Sequence, residues 1–93
     1  MYARITKYKM KPGSKDTAMK IIDSLKDQVL AVDGMKSFLN VINEDGNGYV
    51  ISTTTNAVTS PEAAAQIAAL WGAFADVMED VRPPETFEVI TNW

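Results

Sequence analysis

The hydropathy of this chain switches between two periods, and the order of the switches leaves few folds open. From Tyr2 to Met10 residues alternate. Tyr2, Arg4, Thr6, Tyr8 and Met10 point one way; Ala3, Ile5 and Lys7 point the other. Aromatic and β-branched residues at period two predict a strand over 2–10, and Pro12-Gly13 breaks it. Ser14 stands where a helix N-cap belongs, its hydroxyl placed to accept from an orphan N–H. Beyond it Ala18, Ile21, Ile22, Leu25, Val29 and Leu30 recur at spacings of three and four, with Lys15, Asp16, Lys20, Asp23, Lys26 and Asp27 opposite. That pattern predicts one amphipathic helix over 14–31, ended by Asp33-Gly34.

Two strands follow, at 36–42 and 48–55, joined by the turn cluster Asn43 to Gly48 as a hairpin. The turn lacks the alternating acids and closing Glu of a calcium loop and reads as a plain turn. Ser60-Pro61-Glu62 then supplies a cap, a proline at the first helical position and an acid in the first turn. The spacing predicts a helix over 60–81 with Ile67, Leu70, Trp71, Phe74, Met78 and Val81 as its apolar stripe. Its other faces are mostly alanine, which predicts cover on more than one side. Gly72 at mid-helix costs ~1 kcal/mol against Ala, so it suggests either a close approach or a packing accommodation. Pro83-Pro84 stops this helix, and a last strand is predicted over 85–92.

The order βαββαβ over 1–93 reads as one domain of the α+β class. It is a ferredoxin-like sandwich, an antiparallel four-stranded sheet with both helices on one face. Two helices cover one face only. Yet apolar residues occupy both strand phases: Ile5, Leu39, Val41, Val50 and Ile90 in one set, Tyr8, Phe38, Ile51, Phe87 and Val89 in the other. A sheet with one wet face alternates more cleanly. The pattern therefore predicts a homodimer formed sheet to sheet, burying Ile5, Leu39, Val41 and Val50 or else the opposite set.

Composition narrows the chemistry. The chain has no histidine and no cysteine. That removes Cys/His zinc sites, Fe–S clusters, haem held by His or Cys, and any triad or general base built on histidine. No metal and no cofactor are expected. The formal net charge is -3, against a basic stripe for nucleic acid. No run of ~18 apolar residues is present to span a bilayer, and the first ten residues carry no leader-like apolar core, so a cytoplasmic location is expected, with neither nucleic acid nor membrane as partner.

These features together resemble the antibiotic-biosynthesis monooxygenase family of the dimeric α+β-barrel superfamily. The resemblance covers essentially the whole chain. Its carriers are the first strand running into Lys11-Pro12-Gly13, Asp33-Gly34 before the second strand, the hairpin into Tyr49-Val50-Ile51, the stretch Trp71-Gly72-Ala73-Phe74, and Pro83-Pro84. The resemblance implies a homodimer paired through its sheets and a small-molecule pocket between sheet and helices in each subunit. It further implies cofactor-independent monooxygenation of aromatic, quinol-type compounds. The alternative is a non-catalytic dimeric module that binds a ligand or serves assembly. The haem-degrading branch uses a helix histidine that this chain lacks.

The pocket candidates are Arg4, Thr6, Tyr8, Asn40, Tyr49, Trp71 and Phe74; no residue is assigned a catalytic role. Arg4 sits within a strand and must be paired or solvated: it either binds an anionic or phenolic ligand or pairs with an acid such as Glu88 or Asp80. Asn40 is an amide in an apolar strand and needs partners. Trp71 reads as pocket wall or as core. Thr6, Tyr8 and Tyr49 offer hydroxyls, and Phe74 reads as apolar lining or core.

Overall fold

The computed structural model describes all 93 residues, Met1–Trp93. The elements run β1 (Tyr2–Met10), α1 (Lys15–Ser24), α2 (Lys26–Leu30), β2 (Met35–Ile42), β3 (Asn47–Thr54), α3 (Pro61–Gly72), β4 (Met78–Val81) and β5 (Glu85–Glu88). All strand pairs are antiparallel, in the order β2-β3-β1-β4, with β5 also on β1. This is the expected ferredoxin-like α+β architecture, with three differences of detail that have identifiable causes.

First, the predicted helix over 14–31 is two helices. The Ser24 hydroxyl donates to the Ile21 carbonyl at 2.6 Å, and a side chain bonding back to its own turn bends a helix. Leu25 then leaves helical geometry, and α2 restarts at Lys26. Ser14 occupies the cap position, but its hydroxyl makes no cap bond.

Second, the helix predicted over 60–81 ends at Gly72. Ser60 caps it as read from sequence, accepting from the Ala63 N–H at 3.1 Å. After Gly72 the chain tightens into i→i+3 bonds, Phe74 to Trp71, Ala75 to Gly72 and Val77 to Phe74. It then becomes β4, so Met78 and Val81 lie on a strand, not a helical stripe. Their helical spacing is overridden because the edge of β1 has backbone groups to satisfy: Lys11 N donates to the Val77 carbonyl and Arg82 N to the Lys7 carbonyl, both at 2.8 Å. Gly72 has open space around its missing Cβ, so no close approach explains it. The alanine faces are also uncovered: Ala64, Ala65, Ala68 and Ala69 are exposed.

Third, the last strand is two short ones along the same edge. β4 pairs with Tyr8 to Met10 and β5 with Tyr2 to Ile5. Pro83-Pro84 lies between them and, lacking N–H groups, cannot continue the ladder. The strand stops at Glu88 rather than near residue 92.

The register settles the strand phase. Arg4, Thr6 and Tyr8 face Ser52, Val50 and Gly48 across β3, and these face Phe38, Asn40 and Ile42 across β2. Thr6, Tyr8, Met10 and Ser52 are buried, so this is the helix-facing side. It packs against Ala18 of α1 and against Phe74 and Val77, with Trp71, Ile21 and Ile22 alongside. Ile5, Ile51 and Leu39 form a row on the other side, beside Lys7, Tyr49 and Val41. Val50 therefore belongs to the helix side and Ile51 to the free face, reversing their predicted places. Phe87, opposite Ala3, also joins the free face.

One close approach fixes the sheet. Tyr8 and Gly48 are register partners, and a Cβ on Gly48 would stand 2.5 Å from both the Tyr8 hydroxyl oxygen and the Val41 carbonyl oxygen. The ring of Tyr8 lies across β3 where that strand has no side chain. Gly48→Ala should therefore destabilise by about 1–3 kcal/mol, the range for forcing extra atoms into packed space. Urea unfolding will read this as a lowered midpoint at unchanged slope. In a Tyr8→Ala background the same substitution should cost less, and the remaining cost reports the approach to the Val41 carbonyl.

Candidate functional site

The layer between sheet and helices is not filled. A cavity of about 110 Å³, open on one side, lies between the helix-facing strand residues and the helices. Arg4, Thr6 and Tyr8 from β1, Asn40 and Phe38 from β2, and Val50 and Ser52 from β3 form its floor. Ile67, Leu70 and Trp71 from α3, with Phe74 just beyond it, form one wall. Met19 and Ile22 from α1 line the cavity opposite.

The floor carries one polar pair. Tyr8 crosses β3 over Gly48, and its hydroxyl donates to Asn40 Oδ1 at 2.6 Å, with the Val41 carbonyl at 3.3 Å. Asn40 thus finds a partner on β1 two strands away. The pair leads into a run of aromatic rings. Trp71 lies 6.2 Å from Tyr8 between centroids at 59°, and Phe74 lies 6.3 Å from Trp71 at 62°. Both are tilted arrangements that set ring edges against ring faces.

Arg4 has no acidic partner. Its Nη1 donates to the Thr59 hydroxyl in the segment between β3 and α3. Glu88 stands opposite Tyr2 rather than Arg4, and Asp80 pairs with Arg82 at 2.9 Å on the exposed edge. The alternative in which an acid neutralises Arg4 is not what the fold provides. The cations lining the cavity are Arg4 and Lys15, and no carboxylate lines it, although the chain as a whole is acidic.

Of the residues singled out from sequence, Arg4, Thr6, Tyr8, Asn40, Trp71 and Phe74 surround this one space. Tyr49 does not. Strand alternation puts it opposite Lys7 and Val41 on the free face, 42% exposed. Phe38, Val50, Ser52, Ile67 and Met19 line the cavity without having been singled out. Phe38 and Ser52 are legible in hindsight: each is in register with Arg4 or two residues from Asn40. Ile67 and Met19 carry no signal that separates cavity lining from core. No group of His, Cys, Asp and Glu side chains stands close enough to hold a metal ion, and no helix is long and apolar enough to cross a membrane.

No protein-family model matches the chain, and no curated protein does. Among solved structures the fold recurs over the whole length. A Bordetella bronchiseptica protein, provisionally assigned as an antibiotic biosynthesis monooxygenase, superposes with a TM-score of 0.76 at 7% identity, covering 97% of this chain and 97% of that one. A Nitrosomonas europaea protein with the same provisional assignment gives 0.70 at 14% identity, covering 98% and 100%. A variant of MhuD with two manganese protoporphyrin IX molecules per active site gives 0.68 at 17% identity, covering 100% and 98%. This chain has the fold of antibiotic biosynthesis monooxygenase-like proteins.

Burial of Tyr8 raises its pKa above the ordinary 10.0, and the Asn40 amide, which can turn its nitrogen toward a phenolate, pulls part of the shift back. The phenol therefore stays neutral and donating at physiological pH. A folded-state pKa above the unfolded one contributes stability that is complete below the unfolded value and is lost as pH climbs through the folded value. Thermal melts should hold level up to about pH 10 and then fall. Tyr8→Phe should flatten that fall while costing about 0.5–1.5 kcal/mol at neutral pH for the lost hydrogen bond.

Proposed function

We propose that this protein belongs to the antibiotic-biosynthesis monooxygenase family and binds a small aromatic, quinol-type molecule in the cavity over Tyr8 and Asn40. The observation that carries the reading is an apolar, aromatic-walled space with one hydrogen-bonded polar pair on its floor. A planar ring fits against Trp71 and Phe74, and the Tyr8–Asn40 pair presents the Asn40 amide N–H to the ring oxygen, because the phenol hydrogen is held by Asn40 Oδ1 and fixes that amide's orientation. Cavities with a few placed polar groups in an apolar lining are the usual form of small-molecule sites.

The reaction this supports needs no metal and no bound cofactor. A reduced aromatic with an acidic phenol releases its proton to solvent and becomes electron-rich. Dioxygen then oxidises the ring C–H para to the oxyanion to a carbonyl: one oxygen atom enters the ring, and the other leaves as hydroxide, which takes up a solvent proton to give water. The protein's share is to hold the ring, exclude bulk water from one side, and stabilise the oxyanion through hydrogen-bond donors already in place. The Asn40 amide N–H and the Trp71 indole N–H are those donors, with Tyr8 holding Asn40 in place.

The free face of the sheet supports a homodimer. Leu39, Val41 and Tyr49 are 57%, 40% and 42% exposed, Phe87 is 48% exposed, and Ile5 and Ile51 lie in the same layer. A contiguous apolar surface of this kind is characteristic of an interface, and a two-fold axis makes it self-complementary.

Two measurements test these readings. Oxygen uptake with a panel of anthrol- and quinol-like compounds should show turnover. Trp71→Phe and Asn40→Ala should each lower it about a hundredfold or more, the scale for one removed donor, with circular dichroism checking that each variant is folded. Saturable binding with no oxygen uptake would favour the non-catalytic ligand-binding module, and absence of binding would defeat both. Separately, sedimentation should report twice the chain mass, and Leu39→Asp with Ile51→Asp should return it to one.

A further inference from the structure

A second, smaller cavity adjoins the first, and its lining is richer in polar residues than the first, with apolar residues such as Val32, Met35 and Ile67 shared between them. It has a volume of about 30 Å³, under the segment that leads from β3 into α3. Arg4 and Ser52 line both cavities and so stand where the two meet.

The register explains the polarity. Arg4 has Ser52 beside it on β3 and Thr86 beside it on β5. Thr59 accepts from its guanidinium. All three hydroxyl residues line the smaller cavity, with Thr54 and Ser60. Ser52 is only 5% exposed. The first turn of α3, at Ser60 and Ala63, also borders this space and adds partial positive charge. Asp33 is the one carboxylate in the lining; it is exposed and forms no ion pair with Arg4. A guanidinium set among hydroxyls, with no acid to neutralise it, is a receptor for an anion.

Resting on the small-molecule reading of the larger cavity, we infer that the ligand is an aromatic carboxylate: its ring occupies the cavity over Tyr8 and Asn40, and its carboxylate binds Arg4 and Ser52 at the junction with the polar chamber. The planar guanidinium fork matches a carboxylate with two parallel hydrogen bonds, and the Ser52 hydroxyl donates a third. At about 110 Å³ the space is smaller than the ~150 Å³ cavity that holds benzene, so a ring system would extend through its open side. Arg4 is then a specificity residue for the substituent, separate from the groups that meet the ring oxygen.

The test uses calorimetric titration of the full chain with 1-naphthoate and with the neutral isostere 1-naphthamide. Wild type should bind the naphthoate about tenfold tighter. Arg4→Gln should abolish that preference while naphthamide still binds measurably, and Arg4→Lys should keep part of it. Retained naphthamide binding shows that Arg4→Gln is folded. Should that variant fail to fold, Ser52→Ala decides: naphthoate binding weakened more than naphthamide binding supports the assignment, and no loss, or an equal loss of both, overturns it. Equal binding of both compounds by wild type overturns the carboxylate inference while leaving the cavity reading standing. A preference that survives Arg4→Gln overturns the role of Arg4. Binding of neither compound overturns the inference together with the reading on which it rests.

Discussion

The passage of Tyr8 over Gly48 is the contact on which the rest of the molecule depends. It joins the three strands β1, β3 and β2 through one side chain: ring on β1, bare backbone on β3, hydrogen bond to Asn40 on β2. A residue with a Cβ at position 48 would lift the ring away from the sheet. Asn40 would then lose its partner, and Trp71, which packs against the ring at a tilt, would lose its support. The same contact that sets the register of the sheet therefore levels the floor of the cavity. Stability and site geometry cannot be varied independently here, since the buried phenol serves both.

Above that floor the helices leave room instead of closing. α3 stops at Gly72 and the chain turns back as an edge strand, so the wall is only as long as Ile67 to Phe74. α1 breaks from α2 at Leu25, which tilts the opposite wall. The interruption of regular helix on both sides lets an apolar layer hold a cavity in place of a packed seam.

Charge is distributed against the average of the chain. An acidic protein places Arg4 and Lys15, and no carboxylate, around its internal space. Apart from Asp33 at the smaller cavity, most acids lie elsewhere, at the exposed helix surface and on the outer edge, where Asp80 meets Arg82. Separation of this kind gives a field inside the site that the net charge does not reveal. The two faces of the sheet divide the remaining work: one carries the polar floor, the other an unbroken apolar row through Ile5, Ile51 and Leu39.

Local periodicity alone placed the first strand, the helical segment after it, the β2–β3 hairpin and the start of α3 in order, because alternation at period two and recurrence at three and four residues are local properties of the chain. The sequence by itself also determined the Ser60 cap and the candidate status of Arg4, Asn40, Tyr8 and Trp71, since a polar group in an apolar strand and an indole on an apolar stripe are visible without a fold. Tertiary structure alone decided three things. It decided strand phase, where Val50 and Ile51 exchange faces and Tyr49 leaves the site, because adjacent apolar residues look alike until a neighbour fixes the register. It decided that Met78 to Val81 form a strand, because unsatisfied backbone on β1, distant in sequence, outbids a helical spacing. And it decided that Arg4 meets Thr59, Ser52 and Thr86 rather than an acid, because which groups surround a side chain depends on contacts far apart along the chain, and no periodicity encodes those.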